Sequence, residues 1–80
     1  MQVTAQVTSK TVELIHGSCR MPARVWDAVT AQGVPCLLFV VRVAALDGQP
    51  QEVYDAFSRD LHECNPPSPQ ARAFPPTLAF

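Results

Sequence analysis

Two imidazoles and two thiols are the side chains of this sequence best suited to chemistry: His16, Cys19, His62 and Cys64 form a ligand set that fits tetrahedral zinc. Their spacing works against it. His16 and Cys19 make a usable half-site at a strand end, but His62 and Cys64 stand two apart on a predicted helix, where side chains diverge by about 200°. The expectation is therefore no metal and no cofactor, with a small zinc-binding protein kept only as the third functional alternative. Cys19 is the one candidate nucleophile, because it stands just ahead of a predicted helix with Arg20 and Arg24 close in sequence. An incidental thiol is the reading preferred there. Gly17, Gly33 and Gly48 are too scattered to build a phosphate loop, and no Ser-His-Asp order or carboxylate pair recurs at a catalytic spacing. The chain is read as a non-enzyme. Pro66-Pro67-Ser68-Pro69 contains a PxxP, but Arg72 falls one position beyond the basic slot of such ligands, so a linker is expected.

Charge says more. Six basic and seven acidic residues leave a net charge of −1, too little positive charge to neutralise phosphates, so direct nucleic-acid binding is not expected. The two halves differ in sign. Residues 1–46 carry Lys10, Arg20, Arg24 and Arg42 against Glu13 and Asp27, whereas residues 47–80 set only Arg59 and Arg72 against Asp47, Glu52, Asp55, Asp60 and Glu63. Four of those five acids fall in one predicted helix. On that helix Glu52, Asp55, Arg59 and Glu63 share one face, and a carboxylate-rich helical face is suited to Arg and Lys of a partner protein.

Eighty residues make one domain with a thin core, burying about 60% of the surface its unfolded chain exposes. The three cysteines are odd in number, 17 and 28 residues apart, and form no disulfide framework, which favours a reducing compartment. The first residues lack a signal-peptide pattern and no apolar run approaches a membrane span, so a cytoplasmic protein without membrane contact is expected. Ten Ala and ten Val beside single Lys, Ile and Asn residues point to a GC-rich coding genome, and the small size suits a bacterial or phage protein.

Periodicity assigns these residues to strands and helices. Residues 2–8 alternate with Val3, Ala5 and Val7 on one side, and the next apolar set, Val12, Leu14 and His16, falls on even numbers. A phase slip between Thr8 and Thr11 is read as a hairpin first and as one long bulged strand second. Pro22 is suited to open a helix over about 22–32, with Met21, Val25, Val29 and Ala28 on its apolar face, Trp26 sealing its edge and Gly33 capping it. Val34 to Leu46 reads as the longest strand, with Leu37, Phe39, Val41 and Val43 on one side and Cys36, Leu38 and Val40 on the other. After the Asp47-Gly48 turn and Pro50, a second helix carries the stripe Val53, Tyr54, Phe57, Leu61 and Cys64 until Asn65-Pro66-Pro67 stops it.

The predicted fold is a small two-layer α+β domain over residues 1–65, ββαβα, with a three-stranded mixed sheet, both helices on one face and a right-handed parallel crossover. Residues 66–80 hold five of the eight prolines and read as a proline-rich tail whose Phe74, Leu78 and Phe80 are apolar enough to dock. The long strand falls at a sheet edge in either strand order. An edge this apolar needs cover from the tail, a fourth strand, a second copy or a partner. The expected function is a small non-enzymatic protein-binding module, such as an inhibitor that occludes a basic nucleic-acid-handling complex through the acidic helix. Its contact residues are Glu52, Asp55, Arg59 and Glu63, with Leu38 and Val40 of the strand. A homodimeric structural or regulatory subunit joined through that strand is the alternative.

Overall fold

The computed structural model describes all residues from Met1 to Phe80. Strand β1 (Val3–His16) and strand β2 (Cys19–Thr30) form a long hairpin, and β2 turns back into β3 (Pro35–Val40). Helix α1 (Gln51–His62), helix α2 (Pro69–Ala73) and the short β4 (Thr77–Ala79) complete the chain. The sheet runs β3-β2-β1-β4, antiparallel except that β4 lies parallel to β1. The domain is α+β with a mixed sheet, as expected, but the sheet has four strands and the connections differ.

The largest correction is residues 22–32, expected as a helix and found within and just beyond β2. Met21, Val25 and Val29 are four apart, and a spacing of four returns to the same side in a helix and in a strand alike. The residue that separates the two periods is Ala23, which opposes Met21 on a helix but shares its side on a strand. Ala23 is buried beside Val25, so the two-residue period wins, helped by the β-branched Val25, Val29 and Thr30. Gly33 does take a positive φ, of 84°, but in the loop of the β2–β3 hairpin. There the Gly33 N–H donates to Thr30 O and the Thr30 N–H to Val34 O. The expected parallel crossover is thus an antiparallel hairpin.

Residues 3–16 are one strand, not a hairpin, and the slip is a bulge in which Thr8, Ser9 and Lys10 face the single residue Val25. Because the bulge adds two residues, it leaves the side-chain alternation in phase, and pairing partners show that the strand's halves bury opposite faces. Val12 and Leu14 pair with Ala23 and Met21 on the first face, while Ala5 and Val7 pair with Ala28 and Trp26 on the second. Side chains and Asn65 take up bonds that the bulge interrupts. The buried Thr8 hydroxyl donates to Val25 O at 2.6 Å, Lys10 N–H donates to that hydroxyl, and Arg24 Nη1 donates to Thr8 O. Asn65 adds an isolated parallel bridge, taking the Ser9 N–H on its carbonyl and donating its own N–H to Val7 O.

Pro22 explains why β3 ends early. The Thr30 N–H to Val34 O bond fixes which β2 residues bond toward β3: Thr30, Ala28, Trp26 and Arg24, the even-numbered ones. The next would be Pro22, which has no N–H to give. The ladder accordingly stops at Arg24 and Val40, and residues 41–46, expected as strand, leave the sheet.

The first sheet face carries the core of Val12, Leu14, Ala23 and Val25, closed by Ala71 of α2 and flanked by Leu37, Phe39, Phe74 and Leu78. Ser68 anchors this cover. Its hydroxyl donates to Asp27 Oδ1 at 2.6 Å and accepts the Ala71 N–H as a helix cap, while its own N–H donates to Asp27 Oδ2 at 2.9 Å. The Phe39 and Phe74 rings meet at 4.9 Å, tilted by 48°. The second face lies under α1 and residues 41–43, so the helices occupy opposite faces rather than one.

Candidate protein-interaction surfaces

Helix α1 is amphipathic, but none of its residues is buried. Tyr54, Ala56, Phe57 and Leu61 are half-covered and Val53 is 42% exposed. The helix is tied down at its ends. Tyr54 Oη donates to Leu46 O at 3.1 Å and accepts from Gln49 N–H, and beyond the other end Arg24 Nη1 reaches Cys64 Sγ at 3.0 Å. Between these ties runs an open groove of about 330 Å³, walled by Ala5, Val7 and Trp26 of the sheet and by Val43, Phe57 and Leu61 opposite. It continues past Val40 to Arg24 and Arg42. Trp26 is therefore a half-covered groove residue on β2 and not the edge of a helix stripe.

The acidic residues lie on the outer side. Glu52, Asp55 and Arg59 are exposed on α1, and Asp55 Oδ1 accepts only from Gln51 of its own helix. Glu63 is exposed too, but it follows the helix: α1 ends at His62, and Glu63 has extended backbone, φ −86° and ψ 103°. The helix stops before the expected Asn65 because Asn65 must be extended to bridge to β1. The chain's one ion pair is elsewhere, Arg20 to Glu13 at 2.7 Å, which leaves Glu52, Asp55, Asp60 and Glu63 without a cation.

Leu38 and Val40 lie on β3, half-covered, opposite Trp26 and Arg24 on the groove face. The structure thus separates the expected contact residues into a helix face with its flanking Glu63 and a sheet edge. The groove has no clear trace in the sequence, because Trp26 reads there as the edge of a helix stripe rather than as a sheet residue paired with Val7. The alternation of Ala5 and Val7 was its one signal.

The side chains considered for chemistry are dispersed. His16 stands at the β1–β2 turn, its Nδ1 2.7 Å from Phe80 O and its ring stacked on Phe80 at 5.2 Å. Cys19 is exposed at the start of a strand, so it has no helix terminus behind it. His62 Nδ1 lies 2.7 Å from Ser58 O, and Cys64 faces Arg24. No three metal-ligating side chains come together, and no helix is long and apolar enough to cross a membrane. Comparison with protein-family models, with curated proteins and with solved structures finds no match for this chain.

Proposed function

We propose that this chain is a small non-enzymatic protein-binding module whose α1 face occludes a basic, nucleic-acid-handling partner. The observation that carries the reading is that α1 and Glu63 present four carboxylates against the single guanidinium of Arg59, while α1 buries none of its residues. Carboxylates at helical spacing compete with phosphates for Arg and Lys, and an exposed helix presents them without disturbing the core. Arg59, on the same face, contributes orientation by meeting an acid of the partner. The test is the triple variant Glu52→Lys, Asp55→Lys and Glu63→Lys, measured against an arginine-rich peptide across a salt series. Unchanged melting with lost binding supports the proposal. Undiminished binding contradicts it.

A further inference from the structure

The two sheet edges are finished differently. On the β4 side the last strand has three residues and is preceded by Pro75 and Pro76. On the β3 side six residues, Pro35–Val40, form an edge with no charge, no bulge and no further strand paired to it. Proteins ordinarily guard such an edge with lysine, proline or a bulge, and only Pro35 does so here.

The bonding pattern of β3 follows from its pairing with β2. Cys36, Leu38 and Val40 face the partners that bond toward β3, so the N–H and C=O groups of Leu37 and Phe39 point outward, together with the carbonyl of Pro35. This row is complementary to itself under a two-fold axis. We propose that β3 pairs with β3 of a second copy, antiparallel, with Leu38 on the axis, joining two four-stranded sheets into one of eight.

Proline selects that register. With Leu38 on the axis, Leu37 lies opposite the second copy's Phe39 and the reverse, and all outward groups of both residues bond, giving four hydrogen bonds. Moving the axis to Leu37 sets each Phe39 carbonyl against a Pro35, which has no N–H to donate. Moving it to Phe39 places Leu37 opposite Val41, where the chain has bent out of the strand. Side chains agree with the chosen register. Leu38 meets its own copy and Val40 meets Cys36 on the groove face, while Leu37 meets Phe39 on the core face, so apolar groups oppose apolar groups at every step. No charge lies between Val34 and Val41 to repel the second copy.

The register makes a covalent prediction. Val40 and the second copy's Cys36 form a non-hydrogen-bonded pair, with Cα atoms about 4.5 Å apart, within the span a disulfide accepts. Within one chain those positions are four residues apart on a strand, about 13 Å, and cannot be bridged. In the full chain with Cys19→Ser and Cys64→Ser, the further change Val40→Cys is expected to yield a disulfide-linked dimer on oxidation through Cys36. Val34→Cys in the same background, six residues from the required position, is not. Native mass spectrometry of the unmodified chain is expected to show double the 8.7 kDa monomer mass. Leu38→Lys, which sets two ammonium groups on the axis, is expected to return it to a folded monomer whose melting, unlike that of the dimer, does not depend on concentration. A wild-type chain that stays monomeric up to its solubility limit overturns the proposal and leaves the edge to a foreign strand. A dimer that survives Leu38→Lys and is not trapped by Val40→Cys also overturns it, placing the contact elsewhere. Charge reversal on α1 leaves the β3 edge intact, so this proposal and the acidic-face reading fail separately.

Discussion

The two faces of the sheet are covered by helices of very different quality. On the first, a five-residue helix buries Ala71 completely and is pinned through Ser68 to Asp27 by two short hydrogen bonds. On the second, a twelve-residue helix buries nothing. Length and amphipathicity therefore do not decide which helix holds the fold. What decides it is whether small side chains allow close approach: Ala71 meets a surface of Ala23, Val12 and Val25, whereas Phe57 and Leu61 stand off Trp26 across an open groove. The first face is where stability resides, and the second leaves a helix free to contact something else.

That contrast is breakable in graded steps. Val25, with no exposed surface at the centre of the first face, loses two buried methyl groups on Val25→Ala. The expected cost is about 2–3 kcal/mol, and in a domain this size that lowers the melting temperature by roughly 10–20 °C. A smaller shift would mean that the first face collapses onto the cavity. Thr8→Val comes next. It keeps the shape but leaves the Val25 carbonyl and the Lys10 N–H without the hydroxyl, for a loss of about 1–2 kcal/mol. Retention of wild-type melting would show that the bulge repairs its bonding another way. Trp26→Phe is expected to have the smallest effect, about 1 kcal/mol, because the smaller ring still covers most of the same wall of the open groove. A loss as large as that of Val25→Ala would show that the second face is a true core and erase the distinction between the two.

Particular residues show how far the sequence could be read. The α1 stripe of Tyr54, Phe57 and Leu61 repeats at helical spacing over three turns, and Pro50 marks its start, so that element was legible. So was strand alternation at Val3, Ala5 and Val7. Residues 19–30 were not, since Met21, Val25 and Val29 fit both periods and Pro22 is favoured at a helix start as well as tolerated where a strand lacks a neighbour. The length of β3 was hidden for a related reason: nothing within Val34 to Leu46 ends it, and the cause is a proline on another strand. Of the expected contact residues, Glu52, Asp55 and Arg59 could be placed on one helix face from spacing alone. Glu63 could not, because the bridge between Asn65 and β1 is a long-range contact. The Arg24 bonds to Thr8 and Cys64 depend on the same tertiary placement and had no local signal.

Native-state hydrogen exchange of the full chain distinguishes a fold held by its first face from one held by both, since it reads the stability of each element separately. Amides of α1 are expected to exchange through local opening, with protection about a hundredfold or more below that of the β1 and β2 amides around Val12, Ala23 and Val25. Protection of Phe57 to Leu61 equal to that of the central strands would contradict it, because α1 would then unfold only with the whole domain and would be part of what holds the fold together.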